Sequence, residues 1–466
     1  MAETETDGAQ ARNIRLRFTT REGELEISDS AAVLIPTSFR RYQLSQYVNS
    51  QLDLGQPVPL EFLINGTYLR TSLDDYLSQN GISAENTLTV EYVRARVPPR
   101  YVASYEHDDW VSDVHTNSAS STNHDQPRIL TASYDGRLRV WNTSSQLLAT
   151  SGAGPDGGHL SWVKSAKFVS PSQIASASFD RTVKVWKYQE NADATSAALT
   201  PTLDLYGHKA GVEAIDVSTA SNRLLTASAD HSVGFWSTRK TDAPPAPEGL
   251  LPKAVTKDGK RRKLNPSVSV AQRGPLSLMH AHTAAVSHAR FDRKDHTVAY
   301  SSSLDHSVRT WDLVTGALVD TRTTNNALFC LEQMPVLQLL AAGSASRDVK
   351  LVDPRDSAAS VVAMTLRGHR NHVVTLARDP ANEYVLASGS HDGTCRIWDV
   401  RSTKSGKDGV TGQSIFTISR ESLHGKATPL TGEGVKVFGL CWDARLGLLS
   451  AGEDKAVQVN SSENIT

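Results

Sequence analysis

Five times between residues 100 and 400 the chain places a histidine ahead of an aspartate, and a tryptophan six residues after that aspartate. The sets are His107, Asp135 and Trp141; His159, Asp180 and Trp186; His208, Asp230 and Trp236; His282, Asp305 and Trp311; and His369, Asp392 and Trp398. A serine or threonine lies between the histidine and the aspartate in every set. Ser, His and Asp together are the groups of a nucleophilic hydrolase. A nucleophile is needed once, however, and here the set recurs five times with no GxSxG elbow to single out one serine. The structural alternative suits the repetition better: one closed hydrogen-bonded network per repeat, satisfying buried polar groups in a thin sheet.

Around each aspartate the sequence alternates. "TASYDGRLRVWN", "SASFDRTVKVWK", "TASADHSVGFWS", "SSSLDHSVRTWD" and "SGSHDGTCRIWD" each read as two strands joined by a short turn. Two degenerate copies complete the series. "GSASRDVKLVD" has Ser346 in the Asp slot and Val352 in the Trp slot, and "SAGEDKAVQVN" keeps Asp454 but has Asn460 in place of Trp. Seven copies of a multi-strand unit, five with the upstream His, resemble WD40 repeats and imply a seven-bladed β-propeller over residues 100–466. The third strand of the last copy ends near Asn460, so that blade lacks a fourth strand. "RYVASYEH", residues 100–107, has no partner of its own and is expected to supply it, closing the ring.

Spacing locates two insertions. Residues 241–275 are rich in Pro, Lys and Arg and are expected to be a disordered loop. At its centre Lys260, Arg261, Arg262 and Lys263 suit a nuclear localisation signal or an RNA phosphate contact, and equally a solvated loop. Residues 402–433, rich in Gly, Ser and Lys, are expected to be a second mobile loop.

Residues 1–11 read as a disordered tail, residues 12–96 as a separate module, and residues 97–99 as a linker stiffened by Pro98 and Pro99. The module shows "NIRLRFTT" and "GELEIS" as strands. "FRRYQLSQYVNSQL" is a helix with Tyr42, Leu44, Tyr47, Val48 and Leu52 largely on one face. A hairpin turns at Asn65-Gly66, a short helix ends at Gly81, and "TLTVEYV" is the last strand. That order is the order of ubiquitin-like β-grasp folds. The last strand runs on into "RARVPPRY" with no terminal Gly-Gly, so the module is a fixed docking unit rather than a conjugated tag.

Bulk properties exclude several classes. The net charge of −1 leaves no global basic field, so any nucleic-acid contact must be a local patch. Three dispersed cysteines, Cys330, Cys395 and Cys441, form neither a zinc spacing nor a disulfide framework. No apolar run approaches ~18 residues, so no membrane helix is expected. The first ten residues are acidic and polar, unlike a secretory signal, and an intracellular protein is expected. No phosphate-binding glycine loop, paired-carboxylate cleft or small-molecule site is visible, so the chain reads as a non-enzyme.

A ubiquitin-like module followed by a seven-bladed WD40 ring resembles the YTM type of ribosome biogenesis factor, the WD-repeat member of the Pescadillo–block-of-proliferation complex. "VPLEFLINGTYLRTSLDDYL", "ISAENTLTVEY", "VPPRY", "LVDPR" and "SAGEDKAVQVN" carry the resemblance. The similar Notchless-type factor has eight blades. The resemblance implies a nucleolar and nucleoplasmic protein that matures the large (60S) subunit within the pre-60S particle. It implies that the propeller docks on a block-of-proliferation-type WD40 protein, joining a Pescadillo-type protein through that complex. It also implies that the module is bound by midasin, an AAA ATPase whose adhesion site carries Mg²⁺, so that the complex is released from the pre-ribosome. In the family one acid before the last strand of the module completes that metal site, and the matching residue is Glu85. The chain itself is expected to hold no cofactor or metal. Asp74, Asp75 and Glu91 are weaker candidates, the first two as helix surface and the third as an outward strand residue. The alternative is a substrate receptor of a cullin ubiquitin ligase, since "WDVR", residues 398–401, resembles the WDxR box of such receptors.

Overall fold

The computed structural model describes residues 12–27, 31–52, 54, 56–117, 126–152, 154, 157–251, 270–355, 362–406, 409–426 and 435–462. The chain forms two compact units, residues 1–98 with 400–412, and residues 99–399 with 413–466.

The first unit is built on a five-stranded mixed sheet. Strand β1 (Asn13–Thr19) alternates strictly, with Ile14, Leu16 and Phe18 inward. β2 (Val33–Pro36) pairs antiparallel with β1, Ile35 opposite Ile14. Helix α1 (Arg41–Gln51) follows, then β3 (Leu60–Ile64), β4 (Thr67–Tyr68), α2 (Leu73–Asn80) and β5 (Leu88–Arg94). β5 enters the centre, parallel to β1 and antiparallel to β3, giving the order β2-β1-β5-β3-β4. Leu44 and Val48 of α1 close over Leu16, Phe62, Val90 and Tyr92. Asn65 and Gly66 both have positive φ, +49° and +73°, as a two-residue hairpin of this hand demands.

Two expectations for this unit fail. The second strand is not "GELEIS". Gly23–Leu25 is a single 3-10 turn, pinned where the Tyr92 hydroxyl donates to the Leu25 carbonyl, and the strand comes later at Val33–Pro36. Tyr42 is 70% exposed. It lies two residues before buried Leu44, roughly 200° around the helix, so it cannot share that face.

The second unit is a seven-bladed ring whose blades share a four-stranded antiparallel core, with a fifth strand added to blade 2 and with the outer strands of blades 5 and 6 paired into one eight-stranded sheet. Blade 1 runs from Val111–Thr116 to Leu147–Thr150, blade 2 from Val163–Ser170 to Ala197–Tyr206, and blade 3 from Val212–Ser218 to Ser277–His280. Blade 4 runs from Val286–Phe291 to Ala317–Thr323, blade 5 from Leu328–Met334 to Val362–Arg367, and blade 6 from Val373–Arg378 to Gly409–Ser419. In blade 7, Val437–Asp443, Gly447–Gly452 and Ala456–Ser461 are completed by β6 (Arg100–Glu106). β6 pairs antiparallel with the third strand, Val457 opposite Tyr105, so the start of the propeller closes its end. Apolar clusters fill the gaps between blades, for example Trp236 of blade 3 against Val183, Val185 and Leu205 of blade 2.

Parts of both insertions form regular structure, while residues 252–269, 407–408 and 427–433 lie outside the described residues. Strands Thr394–Gly406 and Gly409–Ser419 form a long hairpin that occupies the first part of 402–433 in place of the expected loop, and Glu421–Leu423 is a 3-10 turn. Its Ile415, Phe416 and Ile418 hide in a Gly- and Ser-rich stretch, and Ile418 is buried. Within 241–275, Glu248–Leu250 is a 3-10 turn, and Ala271–Arg273 adds a fifth strand to blade 2, parallel to its outer strand. Lys260, Arg261, Arg262 and Lys263 lie outside the described residues. Among the described residues no helix is long and apolar enough to cross a membrane.

Candidate functional site

In blades 2, 3, 4 and 6 the structure joins the repeated residues into one chain of hydrogen bonds. In blade 2, Trp186 Nε1 donates to Ser176 Oγ (2.8 Å), Ser176 meets His159 Nε2 (2.7 Å), and His159 Nδ1 meets Asp180 (3.0 Å). Blade 3 repeats it through Trp236, Thr226, His208 and Asp230 (2.8, 2.7 and 3.1 Å). Blade 4 uses Trp311, Ser301, His282 and Asp305 (2.8, 2.7 and 2.8 Å), and blade 6 uses Trp398, Ser388, His369 and Asp392 (2.7, 2.7 and 2.9 Å). Indole N–H donates to hydroxyl, hydroxyl to Nε2, and Nδ1–H to carboxylate, so each proton has one destination. Burial pushes each of these carboxylates up. Donors from the His, a neighbouring hydroxyl and a backbone N–H outweigh it, holding all four below the ordinary range. Ser176, Thr226, Ser301 and Ser388 are wholly buried, so no substrate reaches these hydroxyls.

Three blades depart from the pattern. In blade 1, Trp141 and His107 both meet Thr131 Oγ1 (3.1 and 2.8 Å), but His107 Nδ1 turns to the Tyr105 carbonyl (3.1 Å). Asp135, expected to hold His107, is taken instead by Arg139 (2.6 Å), which also reaches Asp108 (2.8 Å). Burial, followed by the Arg139 charge, pushes His107 down to about 4. In blade 5, Ser346 donates to Asp348 (2.7 Å), a turn-local substitute. Blade 7 has a substitution that the repeat pattern did not reveal. Arg420, 2% exposed, donates from Nε to Asp454 (2.9 Å) and from Nη1 to the hydroxyl of Ser450 (2.7 Å). A guanidinium thus spans the gap between turn carboxylate and strand hydroxyl that histidine spans elsewhere.

Glu85 has a different setting. Gly81, in the left-handed conformation, ends α2, and the Ile82 N–H bonds the Leu77 carbonyl (3.0 Å). A turn follows, with the Asn86 N–H on the Ser83 carbonyl (3.3 Å) and the Glu85 N–H on Ser83 Oγ (3.3 Å). Ile82 and Ala84 pack on the core from one side and Leu88 from the other, so the turn has a fixed root. At its apex Glu85 is exposed, and its carboxylate has no partner among the described residues. Two competing acids are engaged. Asp75 caps α2 with Ser72, whose hydrogen bonds hold its carboxyl below the ordinary range, and Glu91 pairs with Arg21 at 3.1 Å. Asp74 is exposed in the first turn of α2, where the helix end favours an acid. Among the described residues no group of three or more His, Cys, Asp or Glu is placed to hold a metal.

The ring has one aromatic face. Side chains just before the first strand of a blade and just after its second strand emerge at the same end. There Trp110, Tyr134, Trp162 and Phe179 form a row with centroids 5.4, 5.3 and 5.1 Å apart. Phe438 continues it from Tyr134 (5.8 Å), and His391 follows (5.8 Å). Trp110, Trp162, Phe179 and Leu304 are 38–44% exposed and Leu160 is 77% exposed, an unusual display of large apolar side chains. Leu304, Tyr134, His391 and Phe438 also line a cavity of about 420 Å³, together with Lys164, Glu213 and Phe329 among others.

Two family models match. One, described as "NLE (NUC135) domain", covers residues 14–77 and ends before Glu85. The other, "WD domain, G-beta repeat", matches residues 100–142, 156–187, 199–237, 273–312 and 360–399. The chain is 56% identical to "Ribosome biogenesis protein ytm1" of Neosartorya fischeri, over 99% of this chain and 98% of that protein. It is 57% identical to "Ribosome biogenesis protein YTM1" of Ajellomyces capsulatus, over 100% and 96%. The chain belongs to the Ytm1 family of ribosome biogenesis proteins. The solved WD40 β-propeller domain of Doa1 overlays with a TM-score of 0.54 at 17% identity, covering 78% of this chain and 98% of that one, a likeness of fold. The first three strands of blades 5 and 7, which lack the Trp, lie outside the repeat matches, so this Ytm1-family ring holds its divergent blades by other bonds.

The ligase-type WDxR reading loses its key group. Arg401 of the Ytm1-family chain pairs with Glu22 at 3.1 Å, and its side chain is 2% exposed. Beside it the Thr403 N–H bonds the Gly66 carbonyl (2.8 Å), and a Cβ at Gly66 would lie 2.8 Å from the Thr403 carbonyl oxygen, so glycine is required there.

Proposed function

We propose that the chain is a non-catalytic assembly factor for the large (60S) ribosomal subunit, acting in the nucleolus and nucleoplasm through two docking sites. Glu85 enters the adhesion site of the midasin ATPase and completes the coordination of its Mg²⁺, so that pulling on the β-grasp unit releases the factor and its complex from the pre-60S particle. Mg²⁺ demands oxygen ligands in near-octahedral geometry, and a carboxylate from a second protein can fill an open position. The observation that carries this reading is an exposed, unpartnered carboxylate on a turn whose root is packed into the core. Such a ligand binds with little ordering cost. The aromatic face of the propeller docks the block-of-proliferation-type WD40 partner, and through it the Pescadillo-type protein. Its support is the exposed Trp and Phe side chains, the residue types that dominate interface energetics.

Calorimetry of the full chain against the isolated adhesion-site domain tests the first site. Glu85→Ala is expected to abolish Mg²⁺-dependent binding and Glu85→Asp to weaken it, the carboxylate being one methylene short. Unchanged binding by Glu85→Ala overturns the assignment. Trp162→Ala with Phe179→Ala is expected to lose the propeller partner and keep the adhesion-site domain.

A further inference from the structure

The face opposite the aromatic row carries a cleft of other chemistry. Connections from first to second and from third to fourth strands emerge there. Between blades 2 and 3 they enclose a cleft lined by Ser170, Ser172, Gln173, Lys187, Thr238 and Lys240, together with two residues of the outer strand of blade 2. Lys187 and Lys240 are exposed, and neither has a carboxylate partner among the described residues. The acids nearby are already engaged. Asp242 pairs with Arg223 (3.2 Å) and accepts from the Thr241 hydroxyl (2.9 Å), and Asp204 is buried against Lys184 (2.7 Å).

The cleft also has a fixed floor. Arg273 of the fifth strand of blade 2 donates to the carbonyls of Lys240 (3.1 Å) and Gln272 (3.2 Å), not to an acid. Its charge therefore adds to those of the two lysines while its hydrogen bonds hold the Lys240 backbone. Thr238 is pinned to the Asn222 carbonyl through both its N–H (3.1 Å) and its hydroxyl (3.2 Å). The groups left to donate outward are the two ammoniums, the Gln173 amide and one hydroxyl of the Ser170–Ser172 pair, whose oxygens lie 3.5 Å apart.

We propose that this cleft binds the phosphodiester backbone of RNA. Unpaired cations with hydroxyl and amide donors and no exposed aromatic anchor make a phosphate-contact set. A protein partner would need an exposed apolar centre, and the lining of this cleft offers none, its one large apolar residue, Leu203, being buried. The contact carries no base recognition, so it holds RNA without regard to sequence.

Salt titration of a fluorescent thirty-nucleotide oligouridine against the full chain tests this. The background carries Lys260→Gln, Arg261→Gln, Arg262→Gln and Lys263→Gln, which removes the other basic cluster from the comparison. Each phosphate contact on a single strand contributes about 0.7 to the slope of log affinity against log salt. Lys187→Gln with Lys240→Gln is therefore expected to flatten the slope by about 1.4, and Lys187→Arg with Lys240→Arg to leave it unchanged. The proposal is overturned by an unaltered slope in the double Gln variant, or by no oligouridine binding to the background chain at 50 mM KCl. It is overturned too if polyglutamate of equal length competes as well as RNA, since the cleft would then fit an acidic peptide.

Discussion

The carboxylates of the propeller and the carboxylate of Glu85 are the same functional group in opposite settings. Asp180, Asp230, Asp305 and Asp392 each sit at a turn and accept from a histidine, a hydroxyl and a backbone N–H of their own blade. Glu85 also sits at a turn, yet only its backbone N–H is held. A saturated acid stabilises the fold and is closed to partners. An unsaturated acid on a fixed turn adds little to stability and keeps its lone pairs for a partner. Partner saturation, not residue type, separates the two settings, and the stability cost of substitutions across the two regions should grade accordingly.

The largest effect is expected at Arg420. Arg420→Ala removes a buried cation and leaves Asp454 and Ser450 facing a void, a loss of ~3–5 kcal/mol by analogy with broken buried pairs. Thermal unfolding followed by circular dichroism should show the ring melting well below the wild type. A shift of under a degree would mean that the guanidinium does not do the work of histidine in blade 7.

Next come the aspartates. Asp230→Ala strands four donors, His208 Nδ1, the Ser232 hydroxyl and the N–H groups of Ser232 and Lys209, and is expected to cost about 1–3 kcal/mol. Asp135→Ala in blade 1 should cost less, because Arg139 keeps Asp108 and His107 keeps the Tyr105 carbonyl. Equal losses in denaturant titrations would erase the distinction drawn between these blades.

The pH dependence has a definite sign. Folding holds His107 near 4, below its ordinary value, so the folded chain binds fewer protons and its stability is full above about 6.5. That share is lost as pH falls from about 6.5 to 4. The four network aspartates, depressed in the fold, add a further loss only below about 3.9. Melting temperature measured from pH 8 to 4 should therefore decline, and His107→Gln should lessen the decline between about 6.5 and 4, the rest coming from His115, His282, His288, His369 and His391, which burial likewise holds below the ordinary value.

How much of this was legible in the sequence follows from distance along the chain. The networks of blades 2, 3, 4 and 6 were readable because Trp, hydroxyl, His and Asp recur at fixed short spacings. Arg420 was not, since it replaces His with another residue type and meets its aspartate 34 residues on. The aromatic face is assembled one residue per loop, although one signal was present: Tyr134, Phe179, Leu304 and His391 each directly precede the repeat Asp. β2 was missed because a four-residue edge strand with a single buried side chain, Ile35, leaves no period to detect. For Glu85 the spacing showed an acid between a helix-ending glycine and a strand. That its carboxylate is free while Asp75 and Glu91 are held depends on contacts with Ser72 and Arg21 that no periodicity encodes.

The smallest change in stability is expected at Glu85, and it sharpens the comparison most. Glu85→Ala removes no side-chain hydrogen bond and buries nothing new, so its unfolding free energy should stay within ~0.5 kcal/mol of the wild type. The backbone bonds that shape the turn, from the Asn86 and Glu85 N–H groups to Ser83, do not involve the carboxylate. Denaturant titration of Glu85→Ala and Asp75→Ala side by side separates the two kinds of acid, since Asp75→Ala breaks the reciprocal hydrogen bonds with the Ser72 cap of α2 and should be the more destabilising. If Glu85→Ala proved the more destabilising of the two, the carboxylate would have a structural partner, and its availability to a metal in another protein would fall with it.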